Sequence, residues 1–336
     1  MELATRYLGL RLRNPIVASA SPLSTSDDGV RRLADAGVGA VVLHSLFEEQ
    51  LLEEAEQDAR LVEAGTESFA ESLTYLPAQV GSELWPRRYL RLLERASAAV
   101  DVPVIASLNG VTPGGWGRYA AAMQDAGAAA IELNVYDLPG RADVSGREVE
   151  QRLVDVLTAV KGSVSIPVAV KLSPYLSSIA EMAVRLDEAG ADGLVLFNRF
   201  LQPDIDPESL TVVPKVGLSH PSEARLPRTW IALLHRRVRA SLAASTGVDG
   251  PEDVARYLLA GADVVTTASA LLRHGPGYAT VLIDGLSAWM ARKDFTRLDQ
   301  LRGLLAVPSD NDDAARGRAG YVSALREANT HVYGPW

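Results

Sequence analysis

The sequence predicts an α/β protein: a (β/α)8 TIM barrel with an N-terminal hairpin, long loops after strands 2 and 6, and C-terminal helices. Three observations lead there. Four times a helix-like stretch runs into Ala-Gly and then a short apolar run. The copies are Asp35-Ala36-Gly37 before Ala40–Leu43, Asp125-Ala126-Gly127 before Ala130–Leu133, Glu188-Ala189-Gly190 before Gly193–Leu196, and Leu259-Ala260-Gly261 before Val264–Thr266. Glycine past a helix end takes the left-handed conformation that closes the helix. A wholly apolar run after it suits a parallel strand covered on both faces, and repetition of the junction means alternating units. At 336 residues with 47% hydrophobic content, the chain has the length and apolar content of one such barrel with insertions.

Each element follows in order. Tyr7–Arg13 alternates apolar and polar residues and predicts a small hairpin capping the barrel bottom. Pro15–Ala18 reads as the first barrel strand, and Ser24–Asp28 after it is helix-start chemistry. Ala40–Leu43 is the second strand. The acidic stretch of residues 47 to 84 fits no simple unit and predicts a lid or substrate loop. A helix around Pro86–Val100 leads to the third strand, Pro103–Leu108; Pro113 opens the next helix, and Ala130–Leu133 is the fourth strand. Pro167–Val170 is the fifth, ending at Lys171, and Gly193–Phe197 the sixth. In the second excursion, about 199 to 226, Leu210–Val213 and Lys215–Leu218 are expected to pair around Pro214. Ser241–Ala244 and Val264–Thr267 complete the barrel, and helical patterns dominate from Tyr278, with a last helix beginning at Asp310–Asp313. With no low-complexity linker, the expectation is a single domain over 1–336, of which about 290–336 is a helical extension.

Composition excludes several functions. A net charge of −9 without a basic tract argues against phosphate-neutralising nucleic-acid binding. Neither a signal peptide nor an apolar run near the ~20 residues of a membrane span is seen, so a soluble, cytoplasmic protein is expected. Zero cysteines removes disulfides, thiolate nucleophiles and cysteine-ligated metals. His220, His235, His274 and His331 lack metal-ligand spacing, so no metal site is expected. Glu48-Glu49, Glu53-Glu54 and Glu56 read as a solvated helix face.

Barrel chemistry sits at the carboxyl ends of the strands. The first polar residues there are Ser19, His44, Asn109, Asn134, Lys171, Asn198, Thr246 and Ser269. Asparagine presents both a donor and an acceptor, as a flavin or pyrimidine edge requires, but cannot act as acid or base. Lys171 is one of 4 lysines against 29 arginines and closes an apolar run, where an unpartnered ammonium is costly. Two readings stand: a functional cation in the mouth, or a side chain snorkelling to the rim to pair with Glu132. Ser245–Pro251 and Thr266–Ser269 occupy the usual barrel place for a phosphate. His44 ends the second strand at the rim.

Ile131-Glu132-Leu133-Asn134, Pro167–Pro174 and the last two strand loops resemble the dihydroorotate dehydrogenases, most closely the cytosolic class 1 branch. Asn14-Pro15-Ile16 and Ala270–Pro276 also look like family segments, and the resemblance runs from about Leu8 to Pro276. It implies FMN at the barrel mouth, with Lys171 and Asn134 approaching the isoalloxazine and the substrate. A cation near the N1 and O2 edge would stabilise the reduced ring. Thr246-Gly247-Val248 and Ala268-Ser269 correspond to a phosphate cradle, Ser19, Ala20 and Ser21 to the flavin lining with Asn109 among the cofactor contacts, and Asn198 to a substrate residue. The chain departs from the family in four places: His44 for a second lysine, Ala78 for a substrate asparagine, Asp137 for the cysteine or serine base, and Thr246 for one of paired glycines. The implied function is oxidation of dihydroorotate or a related dihydropyrimidine by hydride transfer to flavin N5. Lys171, Asp137 and His44 form the candidate catalytic set, with Tyr136 the alternative base to Asp137; a small-molecule substrate, no nucleic-acid or membrane partner, and a homodimer as in class 1 relatives are expected. The alternatives are a non-catalytic flavin or phosphate-ligand binder, and a lyase or aldolase forming a Schiff base on Lys171.

Overall fold

Alternation within each short apolar run decides which side chains fill the barrel and which meet the helices. The computed structural model describes residues 1–51, 85–110, 116–137, 140–199, 203–213, 217–308 and 313–331. β1 (Thr5–Tyr7) and β2 (Leu10–Leu12) form an antiparallel hairpin. β3 (Ile16–Ala18) and β4 (Ala40–Val42) start the barrel, and the two-residue β5 (Leu46–Phe47) lies beside β6 (Val104–Gly110). β7 (Ala130–Val135), β8 (Val168–Leu172) and β9 (Gly193–Leu196) follow. A second hairpin, β10 (Asp204–Asp206) with β11 (Thr211–Val213), precedes β12 (Ser241–Ala244) and β13 (Val264–Thr267). The barrel is all parallel and closes because β4 pairs with both β3 and β6.

Helices α1 (Asp27–Asp35), α2 (Trp85–Ala99), α3 (Trp116–Asp125), α4 (Gly146–Lys161), α5 (Ile179–Glu188), α6 (Arg225–Leu234) and α7 (Pro251–Ala260) lie between barrel strands. α8 (Ser269–His274), α9 (Tyr278–Arg292) and α10 (Asp313–His331) complete the chain. Side-chain caps start several of them: Ser26 accepts from Gly29 N, Ser178 from Glu181 N, and Ser145 with Glu148 forms a capping box. All four Ala-Gly junctions close as read, with φ of 97° at Gly37, 91° at Gly127, 93° at Gly190 and 120° at Gly261.

Two apolar layers result. Ile16, Val41, Val104, Ile131, Val168 and Leu194 face the helices, whereas Val17, Val42, Ile105, Ala169, Val195 and Val264 fill the barrel interior. Tyr7, Leu8 and Leu12 of the first hairpin join the interior layer and plug its amino-terminal end. The approach is close: a Cβ on Gly193 would lie 2.5 Å from Leu8 Cδ2. Leu8 N also donates to Ser241 Oγ at 3.1 Å.

Some sequence expectations need correction. β11 pairs with Asp204–Asp206, whereas Pro214, Lys215 and Val216 of the expected hairpin lie outside the described residues. The turn is closed by Asp206, whose carboxylate accepts from Glu208 N and from Ser209 N and Oγ, local chemistry that periodicity does not reveal. Glu48 is buried, not solvated: a Cβ on Gly110 would lie 2.5 Å from its Oε2, beside the Trp116 ring. Ala78, Glu53, Glu54, Glu56, Pro113 and Asp310–Asp312 fall outside the described residues.

Candidate active site at the barrel mouth

Lateral register brings the polar residues together. Asn109 on β6 lies opposite Asn134 on β7, and Asn134 opposite Lys171 on β8, one row at the carboxyl ends. These residues stand inside the strands and not just beyond them, because alternate side chains continue into the mouth. One inward position deeper, Ser107 lies opposite Glu132, and Glu132 opposite Ala169.

Lys171 Nζ meets Glu132 Oε1 at 3.2 Å, with side chains only 10% and 3% exposed. Lys171 also lines a cavity of about 160 Å³ in the mouth, so pairing and mouth placement coexist. Asn198 Nδ2 donates to Asn134 Oδ1 at 2.8 Å, and Asn198 N donates to Leu172 O at 2.8 Å. Together the two amides keep a donor on Asn134 and an acceptor on Asn198 for a ligand. Beneath them Tyr89 OH accepts from Ser107 N at 2.8 Å, and Ser107 Oγ bonds Ser45 Oγ at 2.8 Å. Burial first, and then the Glu132 charge, push the Tyr7 hydroxyl well above its ordinary range. Burial likewise raises Tyr89, so neither phenol ionises near neutrality.

Ser19, Ala20, Phe197, Thr246, Ala268 and Ser269 are further walls of that cavity. It adjoins a second cavity of about 360 Å³, with which it shares Phe197, Asn198, Arg199 and Thr246. Small-molecule sites run from about 300 to 1,000 Å³, so the pair has the size for a ligand that the inner cavity alone lacks. Thr266 Oγ1 lines the inner cavity, is buried, and has no hydrogen-bond partner among the described residues.

The loop after β12 is shaped by backbone. Thr246 and Gly247 take consecutive φ of 79° and 69°, and a Cβ on Gly247 would lie 2.7 Å from Ala224 N. Tyr257 OH ties the loop to α7 through Ser245 O at 3.2 Å and Thr246 O at 2.7 Å. Gly247 N donates to Ser219 Oγ at 3.1 Å, and Ser219 Oγ to Ser269 Oγ at 2.9 Å, which joins the two loops. The start of α7 is already occupied: Asp253 Oδ2 accepts from Asp249 N and Gly250 N, both at 3.2 Å. The amides at that helix start are therefore engaged within the protein.

His44, Asp137, Ser21 and Asn109 do not line this cavity. His44 lines another, about 410 Å³, with Arg88, Tyr89 and Arg95. Its Nδ1–H donates to Ser24 O at 3.3 Å, and burial lowers its pKa, so the ring is neutral at neutral pH and does not replace a lysine's charge. Asp137 accepts from Arg152 Nη1 on α4 at 2.6 Å, so its carboxylate is paired with the following helix. Ser21 Oγ accepts from Leu23 N at 3.3 Å and serves a turn. Asn109 stays in the polar row without lining the inner cavity.

Sequence reasoning placed Thr266 in a segment suited to a phosphate, and the structure adds its unpartnered hydroxyl in the cavity wall; Arg199, Ser219 and Tyr257 were missed. Arg199 and Ser219 sit in an excursion without periodicity, and Tyr257 acts from a helix. Among the described residues no group of His, Asp or Glu could hold a metal ion, and no helix is long and apolar enough to cross a membrane.

With this geometry in hand, comparison with known proteins is direct. The family profile of dihydroorotate dehydrogenase matches residues 2–290. A Methanothermobacter thermautotrophicus protein named dihydroorotate dehydrogenase B (NAD(+)), catalytic subunit, is 28% identical over 310 residues, covering 90% of this chain and 98% of its own. Its Methanocella arvoryzae namesake is 29% identical over 308 residues, with 90% and 98% coverage. An Aeropyrum pernix protein provisionally named dihydroorotate dehydrogenase A (fumarate) is 30% identical over 277 residues, covering 74% of this chain and 88% of its own.

Proposed function

The chain belongs to the dihydroorotate dehydrogenase family, class 1-like, and from that premise we propose that it is an FMN-dependent oxidoreductase acting on dihydroorotate or a related dihydropyrimidine. The observation that carries this reading is a buried ammonium, Lys171, beside the Asn134–Asn198 amide pair at the mouth of a closed barrel. The buried, unpartnered Thr266 Oγ1 in the cavity wall fits a polar ligand there.

In this reading Ser19, Ala20, Asn109, Asn134 and Lys171 hold the ring, and Thr246, Gly247, Val248, Ala268 and Ser269 hold the phosphate. FMN, when bound, supplies the hydride acceptor. Lys171 places positive charge where the ring gains electron density, the electrostatic form of catalysis that depends on preorganised charge. The asparagine pair orients a substrate amide edge-on, donor to carbonyl and acceptor to N–H. Phe197, buried in the shared wall, helps keep water out. Asp137 is the proposed proton acceptor. Its carboxylate is held in place by Arg152, which fixes where the proton would be taken up. His44 has a supporting role through Ser24 and its edge contact with Tyr89, whose ring centroid is 5.1 Å away. A homodimer working in the cytoplasm completes the proposal; size-exclusion chromatography with light scattering checks the dimer.

The pairing of Asp137 and the remote His44 favour a second reading, a barrel that binds flavin without turning over. One experiment separates the two. Anaerobic dihydroorotate should bleach the yellow holoprotein. A yellow protein that no dihydropyrimidine bleaches supports the binder, and a protein that stays colourless after reconstitution with FMN contradicts both.

A further inference from the structure

The mechanism above uses Lys171 but leaves unused the buried acid beneath it. We propose that Glu132 is a positioning residue whose negative charge fixes the Lys171 ammonium and attenuates its field at the mouth, so that the pair and not the lysine alone sets the potential of a bound flavin. This rests on the proposed FMN site.

Four observations carry it. Glu132 and Lys171 stand on adjacent strands, with Glu132 one inward position below the Asn134–Lys171 row. Nζ and Oε1 are 3.2 Å apart, and the glutamate side chain is 3% exposed. Among the described residues, Lys171 is the ion-pair partner of Glu132, and Ala169, Ser107, Tyr7 and Tyr89 bring no second cation. Lys171 lines the inner mouth cavity and Glu132 does not, so the cation lies on the ligand side and the anion behind it.

The consequence is electrostatic. Charges buried in a barrel are weakly screened, so a ligand in the mouth feels the lysine reduced by a counter-charge only a few ångströms further away. The same contact removes freedom from a flexible four-carbon side chain, leaving two of its three N–H donors for the mouth. Removing the carboxylate charge while keeping its shape should therefore expose the full cation.

The test is a double-mutant cycle on the FMN-loaded protein. Glu132→Gln should make reduced FMN bind about tenfold more tightly, relative to oxidised FMN, than it does in the wild type. That is an upward potential shift of about 30 mV for a two-electron couple. In a Lys171→Met background the same change removes the carboxylate's own field but no positioning of an ammonium, so its shift should differ from that in the wild-type background. An unchanged potential in the single variant, or an equal shift with and without Lys171, overturns the proposal. Thermal melting of the flavin-free proteins gives a second readout. Lys171→Met alone strands a buried charge, so the double variant should melt higher than that single variant; a double variant no more stable contradicts the pairing. Failure of the wild type to bind FMN would count against the proposed function, whereas the melting cycle would still test the pair.

Discussion

The two halves of the barrel mouth are built differently. On the side of β12, β13 and β3, backbone shape and buried hydroxyls converge on one cavity: Thr246 and Gly247 turn through positive φ, Tyr257 pins the turn, and Ser219 ties it to Ser269. On the side of β4 and the β7 loop, the side chains disperse. His44 faces its own cavity and Asp137 turns to Arg152. The first half is held by left-handed main chain and by several hydroxyls acting together. The second depends on single side chains, which substitution can redirect without disturbing the fold.

That contrast can be broken at measurable points. The largest effect is expected at Gly247→Val, which adds a branched side chain at φ 69° and 2.7 Å from Ala224 N. Left-handed strain and overpacking together should cost roughly 3 kcal/mol of stability and abolish FMN binding, read by denaturant melts and flavin titration. If the variant folds and binds normally, the loop is not backbone-built.

Next comes Asp137→Asn. Its partly exposed pair with Arg152 should contribute less than about 1 kcal/mol to stability. Loss of a general base slows proton transfer by roughly a hundredfold. Rapid-mixing measurement of flavin reduction by dihydroorotate decides; an unchanged rate removes Asp137 from the mechanism. Tyr257→Phe leaves Ser245 O and Thr246 O without their donor and should cost about 1–2 kcal/mol, with FMN affinity down roughly tenfold.

The smallest effect is in pH. Burial lowers the pKa of both His44 and His235 below the usual 6.5. The unfolded chain then binds more protons below about pH 6.5, so stability is full above that value and declines as pH falls toward the depressed native values. His44→Asn should flatten that decline in melts between pH 5 and pH 7, and a steeper decline would contradict it.

How far this was legible from sequence follows from the same contrast. The Ala-Gly junctions and the alternating apolar runs gave the barrel, because both are local signals. Lys171 stood out as a rare lysine ending an apolar run, and Asn134 and Asn198 came from strand ends. What stayed hidden are contacts between distant positions: Arg152 reaching Asp137 from the next helix, Tyr257 holding a loop, and Asp206 choosing the partner of β11. Glu48 misled because an acidic run reads as solvated, whereas its burial is decided by Gly110 and Trp116, more than sixty residues away.

The most direct test is a crystal structure of the protein soaked with FMN. The account predicts density for three fused rings in the mouth, with Lys171 Nζ at about 3 Å from a ring heteroatom. Rings bound elsewhere, or an ammonium turned to bulk water while the mouth stays filled by side chains, would contradict it.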